Sequence, residues 1–143
     1  MNNVIVDSGF WFGFLDKRDQ YYADAQNIYK QYLDNKGLRL LVPFPTLYEV
    51  LGTRLVKQSK QCGLLYRIMR SPKVEFVYDD NYRDSAYNLM LKENEKGRTL
   101  SLVDMIIRLM IADGNLKKDA LVTFNVGDFE DVCRKNGIQI IGK

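Results

Sequence analysis

Five short apolar runs, Asn3–Asp7, Leu38–Val42, Lys73–Tyr78, Ala120–Phe124 and Ile138–Ile141, recur along this chain, and helix-like segments part each from the next. Most of these runs are rich in Val, Ile and Leu, as strands buried on both faces must be. Strands separated by helices pair in parallel, because the chain between them is too long for hairpins and covers the sheet instead. The pattern therefore predicts an α/β fold, a three-layer α/β/α sandwich around a parallel sheet of about five strands.

The intervening segments carry apolar residues three or four positions apart. Asp19–Asn35 does so through Tyr22, Ala25, Ile28, Tyr29 and Tyr32, and Gly37 closes it. Thr46–Gln58 places Leu47, Val50, Leu51 and Leu55 on one side, with Ser59–Arg70 as its partner helix. Asn81–Lys96 is ended by Gly97. Ser101 stands three residues before Asp104, a capping signature that opens a helix over Leu102–Asp113, and a short helix follows near Asp128–Lys135. Open sheets of this kind bind ligands beyond the carboxyl ends of their strands, which is where Asp7 and the Asn125–Asp128 loop fall.

At 143 residues, 46% hydrophobic and 27% charged, the chain is expected to form one domain over 1–143. No apolar run reaches the roughly 20 residues that span a bilayer. Met1-Asn2-Asn3 has no basic region of the kind that begins a signal peptide, which predicts a cytoplasmic location. Cys62 and Cys133 are far apart and outside any CxxC spacing, so they read as thiols. The chain has no histidine. That removes Ser-His-Asp triads, Cys-His dyads and every His-containing metal site, and leaves carboxylates to dominate any catalysis.

Four acids share a setting. Asp7 ends the first strand, Glu49 lies in the first turn of a predicted helix, Asp104 begins another, and Asp128 follows a strand; each stands among apolar residues. A carboxylate near a core needs a partner, and a divalent cation would supply one. Oxygen donors without histidine or paired cysteine favour Mg2+ or Mn2+, and such ions usually serve phosphate chemistry. One or two of them can polarise a phosphodiester and activate a water, so hydrolysis needs no histidine.

Four segments, in order and spanning nearly the whole chain, resemble the PIN-domain ribonucleases, including the VapC-like toxins of toxin–antitoxin pairs. They are Val4-Ile5-Val6-Asp7-Ser8, Pro45-Thr46-Leu47-Tyr48-Glu49-Val50, Leu100-Ser101-Leu102-Val103-Asp104, and Leu121-Val122-Thr123-Phe124-Asn125-Val126-Gly127-Asp128-Phe129. The resemblance implies a metal-dependent endoribonuclease. In it Asp7 and Asp104 would be the principal metal ligands, Glu49 and Asp128 would complete the pocket or orient the attacking water, and Ser8, Ser101, Thr123 and Asn125 would support them. Asn125 departs from the pattern, since many relatives carry a further carboxylate there, and this leaves one-metal catalysis open. The resemblance also implies a homodimer and a cognate antitoxin partner.

Simpler readings exist for each acid. Asp7 could cap the following turn, Asp104 could pair locally with Arg108, Glu49 could favour a helix dipole, and Asp128 could be an ordinary N-cap. From Val50 to Val74 there is no acid, while Arg54, Lys57, Lys60, Arg67, Arg70 and Lys73 surround Tyr66, a stretch that could hold an RNA backbone or simply be solvated. The net charge of +3 does not decide between them. Leu51, Leu55, Leu64, Leu65, Ile68 and Met69 in the same hairpin could bury against the core or a second subunit. Two other functions compete. A phosphoreceiver domain would enlist Asp79, Thr123 and Lys143 but wants adjacent acids after the first strand, and a catalytically silent PIN-like scaffold would bind RNA or a partner without cleaving. A haloacid-dehalogenase phosphatase would need Asp-x-Asp where Asp7-Ser8-Gly9 stands.

Overall fold

In the computed structural model, which describes residues 2–52 and 54–142 with the side chain of Arg54 outside that description, the five runs form one parallel sheet. Its strands are β1 (Asn3–Val6), β2 (Arg39–Pro43), β3 (Val74–Val77), β4 (Ala120–Val122) and β5 (Gln139–Ile141), in the order β3-β2-β1-β4-β5. Register pairs Ile5 with Leu41 on one side and with Leu121 on the other.

Alternation along β1 explains the three layers. Val4 and Val6 join Leu40, Val42, Ala120 and Val122 on one face, while Ile5, Leu41 and Leu121 point to the other. The first face carries α1 (Ser8–Leu15), α2 (Tyr22–Ile28), α3 (Phe44–Leu51) and α4 (Ser59–Met69); the second carries α5 (Arg83–Glu95), α6 (Leu102–Ala112) and α7 (Val126–Asn136). No helix among the described residues is long and apolar enough to cross a membrane.

Helix α1 has no counterpart in the sequence-based expectation. Its sequence, SGFWFGFL, buries Phe10, Trp11, Gly13, Phe14 and Leu15, so it is apolar on every side and shows no 3.6-residue alternation. The segment expected as one helix over Asp19–Asn35 is α2 followed by a π-helical turn at Tyr29–Leu33, in which Asp34 N–H reaches the Tyr29 carbonyl at 2.8 Å. Ile28 and Leu33 are both buried. Five residues apart they would point about 140° apart on an α-helix, and the wider turn brings both to the core.

The segment expected as one helix over Thr46–Gln58 also divides. Helix α3 begins at Phe44 with Pro45 in its first turn, ends at Gly52, and gives way to a 3-10 turn at Arg54–Lys57. A Cβ at Gly52 would lie 2.5 Å from the Tyr48 carbonyl oxygen, so this tight exit requires glycine. Of the hairpin's apolar residues, Leu55, Leu65 and Ile68 are buried in the core, whereas Leu51 and Leu64 remain exposed.

Candidate active site

With β2 and β4 flanking β1 on opposite sides, the connections that leave these strands diverge, and a crevice opens beyond their carboxyl ends. Asp7 and Thr123, each one residue past its strand, meet there. The Thr123 hydroxyl donates to Asp7 Oδ2 at 2.9 Å, and Asp7 Oδ1 accepts the Ser8 N–H at 2.8 Å as the N-cap of α1. The capping role weighed for Asp7 is therefore real, but it engages only one carboxylate oxygen. Asp7 is 2% exposed.

Two neighbours extend this group. The Ser8 hydroxyl donates to Glu49 Oε1 at 2.8 Å, tying α1 to α3. The Asn125 N–H donates to Thr123 Oγ1 at 3.0 Å, so the loop after β4 braces the hydroxyl that braces Asp7. Glu49 is not in the first turn of its helix: α3 starts two residues earlier than the periodicity indicates, and no acid occupies its first turn. The helix-dipole explanation for Glu49 is thereby removed.

Asp104 sits in the expected capping box. Its N–H donates to Ser101 Oγ at 3.1 Å, and its Oδ2 accepts the Ser101 N–H at 3.2 Å. The local ion pair with Arg108 does not form. Arg108 reaches Asp131 instead, with two bonds of 2.7 and 2.8 Å, and donates to the Asp128 backbone carbonyl at 2.8 Å. Asp128 is not the N-cap of α7 either; Asn125 holds that position, without a side-chain capping bond.

Burial raises the Asp7 carboxyl to about 6; the negative charges of Asp104 and Glu49 add to the rise, and the Thr123 and Ser8 hydrogen bonds oppose it. Glu49 is raised by burial and by Asp104, against the Ser8 bond. Asp128 is raised by burial and by Asp104, while Arg98 and Arg108 pull it down. Asp104 is thus the charge that all three others feel. None of the ion pairs among the described residues involves Asp7, Glu49, Asp104 or Asp128.

The donor chemistry fits a hard divalent cation: carboxylate oxygens, no nitrogen or thiolate competitor, and mutual repulsion that a cation would relieve. In this side-chain arrangement, among the described residues, no three acids or thiols converge into a preformed cage. Three of the carboxylates are held by hydroxyls or backbone N–H groups: Asp7 by Ser8 and Thr123, Glu49 by Ser8, and Asp104 by Ser101.

Lys60 and Arg67 lie exposed on α4, Arg70 on its C-cap, and Lys57 on the turn before it. Tyr66 is 62% exposed, with the Arg70 guanidinium 5.3 Å from its ring centre. The side chain of Arg54, expected to join them, lies outside the described residues. Lys73 is turned inward, its ammonium donating to the Leu33 and Asn35 carbonyls. The phosphoreceiver grouping does not assemble: β3, which precedes Asp79, is separated from β4 by two strands, and Asp79 pairs with Arg83 at 3.0 Å. Lys143 lies outside the described residues.

Sequence reasoning missed the part played by Arg108, because its partner Asp131 is 23 positions away rather than one turn. A helix directly after Asp7 was foreshadowed only by an N-capping residue ahead of an unbroken apolar stretch.

No family model matches the chain, and no curated protein does. Solved structures are similar to it. VapC20 of Mycobacterium tuberculosis, a sarcin–ricin loop cleaving toxin, matches with a TM-score of 0.70 at 17% identity, over 90% of this chain and 93% of that one. VapBC2 of Rickettsia felis bound to a promoter DNA fragment matches with a TM-score of 0.58 at 16% identity, over 99% of this chain and 98% of that one. DNA-bound VapBC of Salmonella typhimurium gives 0.59 at 15%, with the same shares. At such identities the likeness is one of backbone, and by its backbone this chain has the PIN-like fold of the VapC toxins.

Proposed function

We propose that this chain is an endoribonuclease that hydrolyses RNA phosphodiester bonds with Mg2+ or Mn2+ held by Asp7, Asp104 and Asp128, and that it acts in the cytoplasm as the toxin of a toxin–antitoxin pair. The observation that carries the reading is Asp7: a carboxylate 2% exposed at the switch point of a parallel sheet, acted on by two negative charges and by no cation. A buried charge in that position costs stability unless a ligand uses it.

When bound, the cation would supply Lewis acidity to the phosphate and a water of lowered pKa. The protein's own groups do the rest. Thr123 and Ser8 fix both oxygens of Asp7, so its orientation needs no rearrangement on binding. Glu49 accepts the proton of the attacking water. Its Oε2 takes no hydrogen bond among the described residues, and burial and the Asp104 charge raise its affinity for a proton. Lys57, Lys60, Arg67 and Arg70 hold the RNA backbone, with affinity that falls as salt rises.

An antitoxin partner is supported by the two neighbours that are VapBC assemblies. A homodimer is supported by the aromatic strip in which Phe44 stacks on Tyr78 at 5.3 Å and Tyr48 stands 73% exposed.

The test incubates purified protein with total cellular RNA and structured RNAs in magnesium, manganese or EDTA, beside an Asp7→Ala, Asp104→Ala double variant. Cleavage is expected with either metal and absent in EDTA and in the variant. No cleavage, together with no metal binding by calorimetry, would replace the enzyme with a PIN-like binding scaffold.

A further inference from the structure

Next to the carboxylates lies a cavity of about 570 Å³ that the metal chemistry does not use. Gly9, two residues beyond Asp7, forms one wall, and Asn125, whose N–H holds Thr123, forms another. The cavity and the Asp7 carboxylate are therefore one hydrogen-bond relay apart. Its size falls within the range of small-molecule sites, roughly 300–1,000 Å³.

The lining has a definite chemistry. Phe12, Tyr21 and Phe124 supply flat aromatic surface, with Tyr21 stacked on Phe124 at 4.4 Å and an interplanar angle of 7°, while Phe12 faces no other ring among the described residues. Gln20, Gln58 and Asn125 add amides, each both donor and acceptor. The charged residues are two acids, Asp16 and Asp19. Asp19 Oδ1 accepts the Tyr21 N–H at 2.8 Å, and its other oxygen takes no hydrogen bond among the described residues.

Asp16 is paired with Arg18 at 3.3 Å, and the lining itself holds no Lys or Arg, so it offers a phosphate no counter-charge. A neutral, flat heterocycle with N–H donors meets every feature of the lining. Unpaired RNA bases are recognised in this way, by stacking on aromatic rings and hydrogen bonding along their edges. Guanine alone among the four common bases offers two adjacent N–H donors to a single carboxylate. We propose that this cavity is a nucleobase subsite, selective for guanine, that takes an unpaired base flanking the phosphate at the carboxylates. The assignment of that neighbouring phosphate rests on the ribonuclease reading, but the subsite itself can be tested without cleavage.

The full-length, isotope-labelled protein, free of metal, would be titrated with guanosine, adenosine, cytidine and uridine 5′-monophosphates and with inorganic phosphate. The amide resonances of Gly9, Gln20, Gln58 and Asn125 are followed. Guanosine monophosphate is expected to shift them most strongly and phosphate not to shift them. Phe12→Leu, which keeps apolar volume but removes the ring, should weaken binding by roughly 5- to 150-fold, the range that the loss of one stacked base spans. Asp19→Asn should erase the preference for guanine. Gly9 lines the cavity and a Cβ there meets nothing within 4 Å, so Gly9→Ala narrows the cavity and should weaken binding while resonance dispersion stays native.

Shifts reproduced by phosphate alone, or no response to any nucleotide, would overturn the subsite. So would shifts produced by an amphipathic leucine-rich peptide when nucleotides give none, which would assign the cavity to a protein partner. Nucleotide binding without RNA cleavage would remove the ribonuclease and leave the subsite standing. Cleavage without nucleotide binding would do the reverse.

Discussion

Burial of the Asp7 carboxylate makes the stability of the fold depend on pH in a specific way. The carboxyl lies near 6 in the folded protein, against an ordinary value of 3.8. The folded state thus holds this proton more tightly than the unfolded chain does. The stability it contributes is full below about 4 and is lost as pH rises through about 6. At about 1.4 kcal/mol per pH unit the loss is on the order of 3 kcal/mol. Asp7→Asn keeps the shape and removes the charge. Without metal at pH 8, urea unfolding should find this variant more stable than the wild type by about 1–3 kcal/mol, with the gap closing toward pH 4. A variant less stable at both pH values would mean that the carboxylate's two hydrogen bonds outweigh its desolvation.

The pair α6 and α7 carries two of the four acids, and Arg108 fastens one helix to the other through Asp131 and the Asp128 carbonyl. The guanidinium holds the Asp131 carboxyl well below the usual carboxylate range, so this contribution persists above pH 4 and is lost as pH falls further. Arg108→Gln should cost about 1–2 kcal/mol, discounted for the exposure of Asp131, and should weaken metal binding although Arg108 touches no metal. Calorimetry with Mg2+ would show unchanged affinity if the clamp were only structural. The same helices mark the boundary of what the sequence reveals. Ser101 and Asp104 announced their capping box because its partners are three residues apart, whereas the Arg108 clamp spans 23 and the sequence suggested a nearer pair. The inner strands were readable because both their faces are buried and β1, β2 and β4 are rich in Val, Ile, Leu and Ala, whereas the edge strand β3 alternates around an exposed Glu75. Helix α1 was hidden because a helix that is apolar on every side loses the periodicity by which helices are recognised. The π-helical turn left no trace, because Ile28 and Leu33 share a face only once the turn has widened.

For the whole molecule, the sheet order decides which distant residues become neighbours. That Asp7 and the Asn125–Asp128 loop would share a strand-end crevice was legible from the apolar runs before them; that Thr123 would hold Asp7, and that Glu49 would join them through Ser8, was not, since both depend on how the elements lie across one another. A cation bound only by the folded site must stabilise the fold as a unit. Thermal unfolding at pH 8 should therefore shift upward with Mg2+ or Mn2+, by about 2.7 kcal/mol at a hundredfold excess over the dissociation constant, and return in EDTA. Asp7→Asn should lose most of that shift, and an equal shift in wild type and variant would place the ion elsewhere.

The hydrogen bond between Thr123 and Asp7 joins residues 116 positions apart, since β4 lies beside β1 in the sheet although β2 and β3 come between them in the chain. On the ribosome this separation becomes a delay. At the usual pace of synthesis, on the order of ten seconds pass between the emergence of the carboxylate and that of the hydroxyl that aims it. Under the ribonuclease reading proposed above, the site stays incomplete throughout that interval, and the chain's own translation nears its end before the site can act.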